Sequence, residues 1–405
     1  MPVSAKGVAK RVAYKKETTW GTLAGATGAK YLRRVTSNFN LKKETYESNE
    51  IRTDFQLADF RHGVRSADGS LSGELSPGSY SDFMQSVVAR DFTAGTVIAL
   101  GATTLSIAAS GSLFTLTRSA GDWIVDGMKE GDVIALTGAS LNTANVSNNL
   151  LVCSMTSTVL TVMQLSATAI FPQATIATVT VTVIGKKTFA PLTGHTDDSY
   201  TVEEFYSDIS QSEVYTGMKV KSMAVKLPAT GLVTTDFSFM GKNLEQSGGT
   251  QYYTTPTAAG TTGIFAAVSG ALILNGTPVA LITSMDFTVE RGAEAAKVVG
   301  SNFAANIFTG RIKVTGNMSV YFIDGVARGF YDTETPISLV VALSTSNAPN
   351  AQVVSFSLPK VKINSADKND GEMGITQSHS FSALLNSDGT TGKQTSTIQI
   401  QDTSI

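Results

Sequence analysis

The side chains that most often do chemistry are few in this sequence and poorly spaced to act together. One cysteine, Cys153, permits no internal disulfide and no cysteine-rich metal centre. His62, His195 and His379 stand far apart and form no metal-ligand cluster. There is no Gly-x-Ser-x-Gly elbow, no phosphate-binding glycine loop, no His-Glu-x-x-His and no Cys-x-x-Cys. Phe239-Met240-Gly241-Lys242-Asn243 has the Gly-Lys of a phosphate loop without the earlier glycine or the following hydroxyl, and reads as a hairpin end. Ala366-Asp367-Lys368-Asn369-Asp370-Gly371-Glu372 resembles a calcium loop, but its glycine comes too early and Asn-Asp-Gly is a turn signal. Asn145, Asn275 and Asn317 open Asn-x-Ser/Thr triplets, which carry meaning only on a secretory route. Lys10, Arg11, Lys15 and Lys16 could contact phosphates. No interleaved aromatics accompany them, so they read as a solubilising arm or a segment that docks on an acidic neighbour. The expectation is a protein with no catalytic residues, no metal and no cofactor.

Composition points the same way. The 405 residues suit two or three domains, and they carry 31 Lys+Arg and 33 Asp+Glu, only 16% charged against 42% hydrophobic. A typical soluble domain is about 25% charged. That deficit suggests covered surface, because charge is depleted at interface cores. The net charge of −2 gives no global reason to bind nucleic acid. It is unevenly spread, with 13 Lys/Arg against 6 Asp/Glu in residues 1–65. Residues 133–185 hold no charge at all, yet Ser, Thr, Asn, Gln and Pro172 break them up. No apolar run of about 18 residues occurs, and no secretory signal follows the basic N-terminus, so a soluble protein is expected.

Strand-like alternation dominates the elements. In Arg311–Phe322, Ile312, Val314, Met318, Val320 and Phe322 alternate with Arg311, Lys313, Thr315, Asn317 and Ser319. Similar patterns cover Ser284–Glu290, Thr234–Met240, Val353–Leu358 and Ser378–Leu384, while short helices are expected at Tyr80–Ala89 and Gly325–Asp332. Residues 1–30 read as a basic arm, and residues 246–263 have linker composition. Residues 95–185, with 6 charges in 91 residues, read as an inserted small β-barrel or sandwich with strands after Met128, at Leu150–Ser154, Val159–Met163 and Thr178–Ile184. Leu71-Ser72-Gly73-Glu74-Leu75 matches Val314-Thr315-Gly316-Asn317-Met318, and Phe39-Asn40-Leu41 matches Phe287-Thr288-Val289. The expected plan is therefore a first β domain split into 31–94 and 186–247, and a linker plus second copy over 248–405.

One stretch is more specific. Leu41–Asp54 contains Ser48-Asn49-Glu50-Ile51-Arg52-Thr53-Asp54 and is followed by Gly69-Ser70-Leu71-Ser72-Gly73-Glu74-Leu75-Ser76 and Tyr80. Together with Ser199–Glu204, Tyr215–Val220 and Gly270–Gly276, it resembles the tail tube (major tail) proteins of long-tailed bacteriophages. The second copy lacks the Ser-x-Glu-Ile-Arg loop and has Asn317 where the first has Glu74. The resemblance implies a mainly β fold: two tandem tail-tube sandwich or barrel domains with short helices, plus the inserted β domain. It further implies trimeric, pseudo-hexameric rings stacked into a non-contractile tail tube, in a virion assembled in the host cytoplasm. With four strands per domain, about 24 strands at roughly 4.8 Å spacing and a tilt near 40° give a backbone diameter of about 48 Å, wide enough for duplex DNA. Partners would be other copies of the chain, the tail terminator, tape-measure and distal tail proteins, and passing DNA, with no membrane. Ser70, Ser72, Glu74, Thr288, Glu290, Arg311, Lys313, Thr315 and Asn317 are expected to face the lumen. Glu44, Glu47, Glu50, Arg52, Asp54, Asp59, Arg61 and Arg65, in a loop over Lys43–Arg65, are expected to set ring stacking by charge. The alternatives are an exported β-domain adhesin or glycan binder, suggested by Ser/Thr-rich strands and Trp123, and a tube subunit of a non-viral injection machine.

Overall fold

Alternation is realised as long antiparallel strands in the computed structural model, which describes residues 4–279, 282–323, 326–369, 372 and 374–405. Gly325 of the second expected helix, and Asp370 and Gly371 of the expected turn, lie outside the described residues.

A first group of elements comprises β1 (Lys10–Lys16), β2 (Lys30–Tyr31), β3 (Thr36–Glu47), β4 (Phe60–Glu74), α1 (Ser81–Val88), β5 (Tyr200–Tyr206), β6 (Gln211–Leu227), β7 (Thr234–Gly241) and β8 (Asn243–Ser247). A second group comprises β9 (Gly270–Leu274), β10 (Thr277–Pro278), β11 (Ile282–Glu290), β12 (Lys313–Tyr321), α2 (Val326–Asp332), β13 (Ile337–Ser344), β14 (Val353–Ile363), β15 (Asp367–Asn369), β16 (Thr376–Ala383) and β17 (Gln399–Asp402). The two groups pair alike. In the first, β1 lies on β5, β5 on β6, β6 on β7 and β8, and β7 on β4, which pairs β3. In the second, β9 lies on β13, β13 on β14, β14 on β16 and β17, and β16 on β12, which pairs β11. β6 and β11 join the groups edge to edge. One sheet therefore runs β3-β4-β7-β6-β11-β12-β16 and ends on β14 and β15.

Its inner face explains the apolar half of the alternation. Leu71, Phe237, Met223, Val289, Val314 and Ala383 form one row across paired strands, and all are buried. Fully burying each large side chain contributes about 1.5–3 kcal/mol. Gly69 sits between Phe39 and Phe239, and Gly316 between Phe287 and Phe381. Gly69 and Gly316 thus share one strand environment, whereas the sequence match aligns Gly316 with Gly73. The strands β1, β5 and the first half of β6 cover this core from above, and Gly217 (φ +68°) stands near the point where β6 changes partners. α1 adds Phe83, Met84, Val87 and Val88 to the same core and ends on Ala89 in the left-handed region.

Two expectations change. The basic arm is not free, because Lys10–Lys16 is a strand, with Lys10 2.6 Å from Glu204 and Lys16 2.8 Å from Asp198. The acidic neighbour it docks on is its own chain. The stretch of linker composition is also strapped down, since Tyr253 is buried and its hydroxyl donates to Thr201 O at 3.0 Å.

Strands between Val97 and Val183 form a separate eight-stranded sheet with its own core around Trp123. That unit rests on the second group. Val133, Leu151 and Cys153 pack against Ile273, Val340, Ala342 and Val353. Beside them Lys187 Nζ lies 3.1 Å from the buried Asp132, which also accepts from Gln399 Nε2 at 2.8 Å. Burial pushes the Glu130 carboxyl up, although Ser338 donates to it.

Candidate assembly surfaces

The polar half of the alternation forms a second set of rows on the opposite face of the sheet. One row reads Thr36, Ser72, Asp236, Ala224, Thr288, Thr315 and Ser382 across directly paired strands. The next reads Asn38, Ser70, Ser238, Ser222, Glu290 and Lys313, and a third Glu74, Thr234, Lys226, Asp286, Asn317 and Ser380. Ser70, Ser72, Glu74, Thr288, Glu290, Lys313, Thr315 and Asn317 are therefore brought to one face, none of them buried. Arg311 is not, because β12 starts at Lys313. Arg311 instead lines a cleft at the strand end with Leu384 and Leu385.

This face is nearly neutral by construction. Lys226 lies 2.7 Å from Asp236, Lys42 lies 2.7 Å from Asp68, and Asn317 Nδ2 donates to Asp286 at 3.3 Å. Partial burial works to raise the Asp236 pKa, but hydrogen bonds from Lys226 and Ser72 outweigh it and leave the carboxyl below its ordinary value. The residues missed from sequence are these partners, Asp68, Lys226, Asp236 and Asp286. Their signal was the same period of two, unread because strand register was unknown.

Nearly half of the segment Lys43–Arg65 is ladder rather than loop. β3 continues to Glu47 and β4 begins at Phe60, which leaves residues 48–59 as the tip. Arg65 stacks 4.3 Å from the Phe303 ring and Glu44 pairs with Lys297, so these two tie the hairpin to its own chain. Arg52 pairs with Asp54 at 2.8 Å and Arg61 with Asp59 at 3.0 Å, both within the hairpin. Glu47 and Glu50 are exposed. The tip's most prominent groups are apolar: Ile51 is 99% exposed and Phe55 98%, the latter at φ +58°.

The third surface is a pair of strand edges. Among the described residues no strand pairs with the outer edge of β3 or of β15. No group of His, Cys, Asp or Glu able to hold a metal occurs among the described residues, and no helix there is long and apolar enough to cross a membrane.

No curated protein matches the chain. A family model does, over residues 7–383, and it is described as phage tail tube protein. A mainly β sheet with one polar face and unpaired edges is what a tube wall requires, and the chain belongs to the phage tail tube protein family.

Proposed function

We propose that this structural tail tube subunit closes into rings of three copies, each supplying two pseudo-equivalent tube domains. The observation that carries this is the repeated pairing. A matching order of strands and one helix occurs twice, with the short β15 additional in the second group, β6 joins the two groups edge to edge, and among the described residues an unpaired edge remains at each end of the joined sheet. Unpaired edges in a long sheet are a liability that closure removes. Residues 95–185 then decorate the outside as an inserted domain between α1 and β5.

The polar rows line the bore on this reading. Hydroxyls, amides, Lys42 and Lys226 matched to aspartates, and Lys313 set opposite Glu290 offer DNA no net attraction, so it passes without being gripped. The hairpin tip at 48–59 reaches the next ring. Charge was the expected glue, but Arg52, Asp54, Asp59 and Arg61 satisfy one another, which shifts the contact toward Ile51 and Phe55. Rings stack in a non-contractile virion tail, completed by terminator, tape-measure and distal tail proteins, after assembly in the host cytoplasm. Negative-stain microscopy of the purified chain tests the reading. Rings or tubes are expected; monodisperse single chains under every condition, together with glycan binding, would favour an adhesin instead. Cargo other than DNA would favour a non-viral injection tube.

A further inference from the structure

The junction between the two groups of strands is a template for a junction between two chains. On the outer edge of β11, β6 pairs Ala224 with Thr288, Val225 with Phe287 and Lys226 with Asp286. The turn after β6 then folds over the residues that precede β9. Ala267 N–H donates to Gly231 O at 3.0 Å, and Val233 N–H to Phe265 O at 2.9 Å.

In the first group, β3 holds the place of β11, and among the described residues the corresponding space is open. A groove of about 1070 Å³ runs along it, lined by Val8, Arg11, Leu32, Val35 and Thr36 among others. Val8 is fully exposed and Val35 58% exposed. The correspondence is close. A single 3₁₀ turn precedes β1 (Gly7–Ala9) and β9 (Ala267–Ser269), and Leu32 N–H donates to Val12 O as Val279 N–H does to Leu272 O, both at 2.9 Å. At the far end of the sheet, β15 lies on β16 as the second half of β6 lies on β7, and among the described residues no strand pairs with its other edge.

We propose that a second copy of this chain fills the groove. β15 of one copy pairs antiparallel with β3 of the next, with Asp367 opposite Asn40, Lys368 opposite Phe39 and Asn369 opposite Asn38. Ile375 takes over the groove the place that Val233 has in the internal junction. The register follows from matching Phe39 to Phe287 and Phe239 to Phe381. It deepens, and rests on, the ring reading above. Ile375 is 42% exposed in the single chain, whereas Val233 is fully buried, as expected of one contact made and one still to be made.

The free edge also carries a guard. Lys10 Nζ donates to Ser37 O at 2.9 Å and the Tyr215 hydroxyl to Phe39 O at 2.8 Å, so two carbonyls of β3 are occupied in the single chain. The corresponding positions in the second group are Gly270 and Leu358, which have no such donors, and there β6 covers the edge. Side-chain caps stand where the strand waits for a partner and are absent where it already has one. Pairing exchanges these bonds for main-chain bonds from the second copy.

Paired cysteines in the full chain read the register directly, since the native Cys153 is buried. Asn40→Cys with Asp367→Cys, oxidised after assembly, should give chains covalently linked up to trimers on non-reducing gels. Asn40→Cys with Asn369→Cys, out of register on the same face, should link at least tenfold less. Equal or better linking of the displaced pair in particles that microscopy shows to be assembled would overturn the register and leave the ring reading standing. Failure of the unmodified chain to form rings would sink the ring reading itself. Val35→Glu provides the second measurement. It should stay folded by circular dichroism and remain a single chain by light scattering; assembly at the normal rate would overturn the groove as the junction.

Discussion

At the scale of single residues, the two glycines under the phenylalanines are not interchangeable with alanine. A methyl on Gly69 would run into the Phe39 ring, which can shift, whereas one on Gly316 would meet the Asp286 carbonyl as well as the Phe381 ring. Overpacking of this kind costs about 1–3 kcal/mol. Gly316→Ala should lie at the upper end and Gly69→Ala at the lower, read by urea denaturation of each variant. His379 gives a pH dependence. It is fully buried, and burial pushes its pKa below the ordinary 6.5, outweighing the Ser365 backbone and the Asp367 charge, which favour the protonated ring. The unfolded chain therefore binds the proton first as pH falls through about 6.5, and stability declines from there downward. His379→Leu should flatten the melting temperature between pH 7 and pH 5; an unchanged slope would remove His379 as its source.

At the scale of elements, the β3–β4 hairpin is the piece whose role turns on its tip. Ile51→Ser with Phe55→Ser should leave rings intact and reduce tube length severalfold in micrographs, whereas reversing Glu50 and Arg52 should do less. The reverse order of severity would restore charge as the stacking force. How much of an element is legible in the sequence differs from strand to strand. Alternation in Arg311–Phe322 announced a strand with Val314 and Met318 inside and Thr315 and Asn317 outside, and both faces are as read. The strand starts at Lys313, two residues later than the alternation implies, which takes Arg311 off the polar face. Alternation identifies a face but not a partner, because pairing is decided by contacts distant in sequence. Hence the aspartates that pair with Lys42 and Lys226, and the full length of β3 and β4, are not legible in the sequence. Lys10–Lys16 looked like an arm because its charge hid Val12 and Tyr14, both buried in the strand's inward positions.

At the scale of the whole molecule, the charge-poor unit between Val97 and Val183 interrupts the first group yet packs on the second. It thereby ties both groups together. Asp132 is central to that seam, and Asp132→Ala would leave Lys187 buried without its partner. Breaking a buried pair in this way costs about 3–5 kcal/mol. The expected outcome is protease cleavage near residues 93–97 and 183–187 before the rest of the chain is cut; unchanged resistance would show that the apolar seam suffices. The larger question is how many chains close one wall. Cryo-electron microscopy of assembled tubes, with the copies in one ring counted from the map, answers it most directly. Three copies per ring are expected, with the inner wall nearly six-fold and the outer decoration three-fold. Six copies per ring, or a wall whose sheet stops at β3, would contradict closure by two tube domains per chain.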